Sequence, residues 1–265
     1  MTIKLAFANQ KGGVGKSALI LQTAYYAAQK KLKVLVIDMD GKGNLSTKIA
    51  TRQQIEQLPK RFTCSVNLFD PNLEKITVLN CKYGIDLIPS RINDQQLYTQ
   101  EKAPLNTIIN PHNNLAIFAQ NYDLVIIDCP SSLGNLFLAG IVAADKIIMP
   151  LQISSFVVDS LSGLFEVVEK LQKIGKKDLE IAGILINSFN ARNKQQHQAI
   201  KKLREKLGNL MMETVIANRS TIDKATNQAK PIWKIRSGAA RLASLELTEA
   251  IEEIFERTGV NNERN

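Results

Sequence analysis

The stretch KLAFANQKGGVGKSALILQTAYYAAQKK, residues 4–31, constrains the fold more than any other part of the chain. An apolar run passes through three closely spaced glycines directly into a helical pattern. Gly12, Gly13 and Gly15 let the backbone wrap tightly with its N–H groups pointing inward. The helix that follows, starting near Ser17, adds the positive end of its dipole. A strand, an anion-cradling turn and a helix in that order imply a sheet with helices packed on it. Six more runs repeat the theme: KVLVID (33–38), GIDLIPS (84–90), DLVIIDC (123–129), KIIMPLQ (146–152), EIAGILIN (180–187) and ETVIAN (213–218). Most are β-branched and apolar on both faces, as buried parallel strands are. Helical spacing appears in SLSGLFEVVEKLQKIG (160–175), in HQAIKKLREKLG up to Gly208, and in SLELTEAIEEIFERTG up to Gly259. The expectation is an α/β fold, a doubly wound and mostly parallel sheet flanked by helices, in a single domain spanning 1–265 with no N-terminal DNA-binding module. The segment from Ala50 to Glu74 is the least periodic and is expected to hold short helices and loops.

The glycine loop nearly matches the phosphate-binding pattern G-x-x-x-x-G-K-[ST]. Gln10 stands in place of the first glycine, and a second lysine, Lys11, follows it. Lys16 would reach the β- and γ-phosphates of a nucleotide and the Ser17 hydroxyl would ligate Mg²⁺. The contiguous residues Lys11, Gly12, Gly13, Val14, Gly15, Lys16, Ser17 and Ala18 are the candidate nucleotide cradle. Two strand ends supply carboxylates. VLVIDMD ends in Asp38 and Asp40, placed on one side by the period-2 alternation, at the end of a parallel strand that faces the ligand crevice. YDLVIIDCP ends in Asp128, in position to hold Mg²⁺ through water. One of Asp38 and Asp40 can hold the metal's water shell while the other orients an attacking water.

Charge is unevenly distributed. The whole chain carries +9, and the segment from Arg192 to Arg241 alone holds twelve basic residues against three acids. Such an excess suggests a polyanionic partner. Residues 242–265 hold six acids and two arginines. Cys64, Cys81 and Cys129 are too few and too scattered for a disulfide framework or a C-x-x-C site. No apolar stretch is long enough for a bilayer, and a cytoplasmic protein is expected.

The KGGVGKS loop, the IDMD strand end, the YDLVIIDCPSSLG segment and the late AKPI stretch together resemble the ParA/MinD group of deviant Walker A ATPases, in particular ParA-type DNA-partition ATPases. The resemblance runs from residue 3 to about residue 255. It implies ATP or ADP with Mg²⁺ as ligands. Lys11 would be the lysine that reaches across a homodimer to the partner's ATP, and Lys11, Lys16 and Asp40 would carry catalysis. Ser17, Asp38 and Asp128 would form the Mg²⁺ environment. Asn187 and, more weakly, Asn218 would contact the base. It also implies nonspecific DNA binding by the ATP dimer at the nucleoid, a centromere-binding ParB-type adaptor, and slow hydrolysis stimulated by that partner. Lys230, Lys234, Arg236 and Arg241, clustered before the final helix, are the candidate DNA contacts. There are departures. Gly41 and Lys42 replace the family's usual Pro-Gln, adding charge near the γ-phosphate. Ser131 follows Pro130 where a second proline is usual. Thr221 and Lys224-Ala225 stand where Arg and Glu-Ala are common.

Three other classes compete. A MinD-like membrane ATPase needs a terminal amphipathic helix with a basic face, and LELTEAIEEIFERTG is acidic on its polar face, so no membrane partner is expected. A metabolic relative would be an amidotransferase-like synthetase, which needs a substrate-activating site that the sequence does not show, or a nitrogenase-type reductase with a bridging iron–sulfur cluster, which needs two suitably placed cysteines per subunit, where only Cys129 lies beside a motif. A decayed loop holding a structural nucleotide is at odds with intact Lys16, Ser17, Asp40 and Asp128.

Overall fold

In a computed structural model, residues 2–153, 157–176 and 178–261 are described, with the side chains of 157–160 left aside. Eight strands form one sheet in the order β3-β4-β2-β5-β1-β6-β7-β8. They are β1 (Ile3–Phe7), β2 (Val34–Asp38), β3 (Leu79–Asn80), β4 (Ile85–Ile88), β5 (Leu124–Asp128), β6 (Lys146–Leu151), β7 (Glu180–Phe189) and β8 (Met211–Ala217). All seven expected strands are present and pair in parallel. β3 is the addition, a two-residue strand antiparallel to β4. It is too short to leave a periodic signal in the sequence. β2 and β5 are buried at every position, as their continuous apolar runs require.

The helices are α1 (Lys16–Gln29), α2 (Ser46–Ile49), α3 (Arg52–Glu56), α4 (Gln95–Thr99), α5 (Asn110–Phe118), α6 (Asn135–Ala143), α7 (Val157–Lys173), α8 (Lys194–Leu207), α9 (Ser220–Asn227) and α10 (Gly238–Thr258). Two apolar cores lie on the two faces of the sheet. One unites α1, α9 and α10 through Leu19, Ile20, Ala225, Leu247 and Phe255. The other unites α5, α6, α7 and α8 through Leu115, Phe137, Leu164 and Leu203. α8 ends at Gly208 and α10 at Gly259, both in backbone conformations with positive φ (53° and 74°) that favour glycine. α10 begins earlier than its apolar spacing suggests, because the Ser237 hydroxyl accepts from Ala240 N and caps it. The segment from Ala50 to Glu74 does hold short helices, with α3 opened by a reciprocal Thr51–Gln54 capping box.

α10 also closes the sheet. β8 is an edge strand, and exposed N–H groups on an edge invite pairing with other chains. Glu253 accepts from Glu213 N at 2.8 Å and Thr214 N at 2.9 Å, and Glu246 accepts from Ala217 N at 3.2 Å. Two of the helix's acids therefore serve the sheet edge, and only Glu249, Glu252 and Glu256 remain as its outer acidic face.

Candidate nucleotide-binding site

The strands β1, β2 and β5 lie side by side and end together. The Cα register pairs Phe7 with Asp128 and Asp38 with Asp128. The glycine loop emerges from β1 at this edge, between the two halves of the sheet. Gly13 and Gly15 take left-handed φ values of 76° and 84°, which close the loop and launch α1 at Lys16. Gly15 has a second reason to be glycine. A Cβ there would stand 2.2 Å from Asn187 Nδ2.

Two buried amides hold the loop. Asn9 Nδ2 donates to Pro150 O on β6 at 2.7 Å, while Asn9 Oδ1 accepts from Lys11 N at 2.7 Å. Asn187 Nδ2 donates to Val14 O at 2.7 Å. The loop is thus tied to β6 and β7 before any ligand contact is considered. Asn187, the expected base contact, sits against the cradle itself and braces it. Asn218 is exposed just past β8 and is anchored by its N–H to Phe189 O.

Lys16 is only 8 % exposed. Its ammonium donates to Ser131 Oγ at 3.0 Å and, at longer range, to Asn9 O at 3.4 Å. Ser17 Oγ donates to Asp128 Oδ2 at 3.1 Å. Asp38 is fully buried and accepts from Ser46 N at 2.8 Å, Ser46 Oγ at 2.7 Å and Asp40 N at 3.1 Å. Burial raises the Asp38 carboxyl to about 7, with Asp40's charge adding to the rise against the hydrogen bonds from Ser46. Burial raises Asp128 well above the carboxylate range too, helped by Asp38 and opposed by Lys16. Three carboxylates therefore share a low-dielectric site with Lys16. This excess of buried negative charge fits a hard divalent cation held through Ser17, water and phosphate oxygens. Among the described residues no group of three or more His, Cys, Asp or Glu side chains could hold a metal by itself. Cys129 is fully buried, packs toward Gly140, and has its thiol pushed up by burial.

Asp40 is half-buried and starts a turn, with its carboxylate accepting from Lys42 N and its carbonyl from Gly43 N. Gly43 has φ 68°, and a Cβ would stand 2.8 Å from Arg91 O. Gly41 packs under the Tyr98 ring, 2.6 Å from where its Cβ would be. The Lys42 side chain is exposed. A cavity of about 300 Å³ opens beside this turn, bordered by Asp40, Lys42, Tyr98, Glu101, Ser131 and Ser132.

The basic segment divides. α8, with Lys194, Lys201, Lys202 and Lys206, packs on the opposite face of the sheet from α9 and α10. Lys230, Lys234, Arg236 and Arg241 are all exposed on the α1–α10 side. Arg219 is held by Glu246, with its Nε at 2.9 Å from the carboxylate. The AKPI stretch is fixed by Gln22 of α1, whose amide donates to Lys230 O at 3.1 Å and accepts from Ile232 N at 2.9 Å. Asn9, Ser46 and Gln22 escaped the sequence reading. Asn9 and Gln22 work through partners far away in the chain and Ser46 through Asp38, eight residues before it, and nothing local distinguishes them.

A glycine-lined anion cradle at a strand–helix junction, a buried lysine, a hydroxyl and two strand-end carboxylates define a P-loop nucleotide-binding ATPase. Comparison with known proteins narrows the class. The family model described as an AAA domain matches residues 2–181, and the chain belongs to that family, as a ParA-type partition ATPase. It is 29 % identical over 266 residues to the chromosome-partitioning ATPase Soj of Treponema pallidum, covering 96 % of this chain and 98 % of that one. It is 28 % identical over 231 residues to the sporulation initiation inhibitor protein Soj of Bacillus subtilis, covering 86 % of this chain and 89 % of that one. Among solved structures, a putative plasmid partition protein of Borrelia burgdorferi bound to AMPPNP superposes with a TM-score of 0.76, at 24 % identity, over 97 % of this chain and 99 % of that one. The fold is shared more widely. Cobyrinic acid a,c-diamide synthase of Mycobacterium smegmatis with ADP and magnesium gives a TM-score of 0.78 at 22 % identity, over 98 % of this chain and 97 % of that one.

Proposed function

We propose that this chain hydrolyses ATP to drive DNA partition. Its ATP-bound form would be a homodimer that binds DNA without base readout and lets go after hydrolysis. The observation that carries the proposal is the convergence of Lys16, Ser17, Asp38 and Asp128 at one sheet edge, tied by hydrogen bonds of 3.0 Å (Lys16–Ser131) and 3.1 Å (Ser17–Asp128). The nucleotide is ATP or ADP. Ser17, with Asp38 and Asp128 beside it, would hold Mg²⁺, which would supply charge neutralisation at the phosphates. Lys16 binds the β- and γ-phosphates. Asp40, at the rim of the cavity, orients the attacking water. Val14, Ala18 and the three loop glycines offer backbone N–H groups, and Asn187 and Asn218 flank the base.

Lys11 provides the link to assembly. A lysine supplied by each subunit to the other's triphosphate stabilises the dimer only while that charge is present. A two-fold axis would then double a patch made of Lys230, Lys234, Arg236 and Arg241. Each phosphate contact releases counterions, so affinity would be steep in salt. A ParB-type adaptor at the cargo would stimulate a slow basal turnover. The single continuous sheet supports one working domain, the expected 1–265 unit; it would act in the cytoplasm at the nucleoid. The exposed acids Glu249, Glu252 and Glu256 of α10 weigh against docking on anionic lipid. No helix among the described residues is long and apolar enough to cross a membrane.

The test is sedimentation of wild type and Lys11→Ala with ATP, ADP and an arbitrary duplex. Wild type should dimerise and bind the duplex with ATP only. Lys11→Ala should keep ATP binding and lose the dimer. A wild type whose oligomeric state and DNA affinity ignore ATP would sink the proposal.

A further inference from the structure

The loop after β5 reads PSSLG, and Ser131 is the position where a second proline was expected. Its hydroxyl does something proline cannot. Lys16 is almost wholly buried, and an ammonium in that setting needs good acceptors. Of its two oxygen partners, Ser131 Oγ at 3.0 Å is the nearer, and Asn9 O at 3.4 Å is at the limit of a hydrogen bond. Ser131 therefore sets where the ammonium stands. A serine that accepts from a lysine still has its own O–H to give. Ser131 also borders the cavity that Asp40 and Lys42 share, so it links the lysine of the cradle to the residue proposed to orient the attacking water.

We infer that Ser131 is a γ-phosphate-sensing residue: its oxygen fixes the Lys16 ammonium while its hydroxyl proton is donated to a terminal phosphoryl oxygen, so that it favours a nucleoside triphosphate over a diphosphate. The inference rests on the proposed ATPase function and adds a specificity determinant to it. The α- and β-phosphates would lie along the glycine loop and the start of α1, whereas Ser131 borders the cavity it shares with Asp40. Loss of the hydroxyl should therefore be felt more by the triphosphate than by the diphosphate.

The experiment is a titration of fluorescent-labelled AMPPNP and ADP, each with Mg²⁺, into wild type, Ser131→Ala, Ser131→Thr and Ser131→Val. Thr and Val are nearly isosteric and differ in the hydroxyl, so their comparison stands even if Ala perturbs folding. Ala and Val should weaken AMPPNP binding roughly ten- to a hundredfold, the worth of one hydrogen bond to a charged group. ADP affinity should fall clearly less than AMPPNP affinity, because ADP loses only the aim of Lys16 and no bond to the hydroxyl, and Thr should restore the preference for the triphosphate. Equal weakening of both nucleotides would mean that the hydroxyl serves Lys16 alone and would overturn the inference. So would unchanged AMPPNP affinity in Val. A wild type that binds neither nucleotide would instead strike at the ATPase function itself.

Discussion

The cradle at the end of β1 and the basic segment around the AKPI stretch are built on opposite principles. In the cradle the working charges are buried: Lys16 is 8 % exposed, Asp128 3 % and Asp38 0 %. Each is aimed by a specific hydrogen bond, and the loop is braced by Asn9 and Asn187. In the basic segment Lys230, Lys234, Arg236 and Arg241 are all exposed, and Lys234 lies over the Tyr83 ring at 4.6 Å. Buried charges act through geometry, because a low dielectric makes an ångström costly. Exposed charges act through number and are screened by salt. The nucleotide site should thus fail at single substitutions, and the polyanion surface should fail by degrees.

The largest effect follows from Lys16. Replacing it by Ala removes the one ammonium aimed at the cradle and leaves Asp128 with its field uncompensated. ATP affinity or turnover should fall on the order of 10²–10³-fold, as read by nucleotide titration and phosphate release. The basic segment should respond more gently. Each Ala substitution at Lys230, Lys234, Arg236 or Arg241 should lower the slope of log K for DNA against log salt by about 0.9 per lost phosphate contact. ATP binding should be untouched. An abrupt loss of DNA binding from one of these substitutions would show that the segment is as geometric as the cradle.

Third in size is a pH effect confined to the cradle. Asp38 titrates near 7 in the fold, against 3.8 for the exposed group. Between those values the folded protein holds more protons than the unfolded chain, so metal-free stability should fall as pH rises through that window. Above pH 7 the penalty is fully present. Asp38→Asn should flatten that dependence and raise the metal-free melting temperature at pH 8. The ceiling on the gain is about 4 kcal/mol, reduced because Asn offers one acceptor oxygen to Ser46 and Asp40 where Asp offers two. A variant that melts lower than wild type in EDTA at pH 8 would show that the Ser46 hydrogen bonds outweigh burial.

What could be seen in the sequence divides along the same line. The cradle was legible because its chemistry demands residue types at fixed local spacing: three glycines, Lys16, Ser17, and acids at strand ends. Seven strands were legible because buried parallel strands are continuous apolar runs. Asn9, Ser46 and Gln22 were not, since an isolated Asn, Ser or Gln looks the same whether it is solvated or bridging elements. Gln22 bonds across 208 residues and Asn9 across 141. The acids of α10 looked like a solvated stripe, yet Glu246 and Glu253 close the edge of β8 through contacts that helical periodicity cannot reveal. Likewise the twelve basic residues of that segment read as one block, and the fold splits them across the two faces of the sheet.

Gln22 is where the two regions meet, and it carries the smallest and most discriminating prediction. It lies on α1, whose first turn holds Lys16 and Ser17, and its amide grips Lys230 O and Ile232 N at once. Gln22→Ala would leave a part-buried carbonyl and a buried N–H without this partner, a loss of roughly 1–3 kcal/mol. For a chain of this size that is a drop of about 2–4 °C in melting temperature per kcal/mol. ATP affinity should hold, because the start of α1 is fixed independently by the bond from Leu19 N to Gly15 O and by Asn187 on Val14. DNA affinity separates two possibilities. If the basic segment works by charge alone, loosening its backbone should change DNA binding by less than twofold and leave the salt slope intact. If DNA binding by the ATP form falls while the slope stays the same, α1 transmits the state of the cradle to the basic face through this amide. The double variant Gln22→Ala, Lys230→Ala then decides the matter: additive losses keep the regions separate, and a coupling energy above about 0.5 kcal/mol joins them.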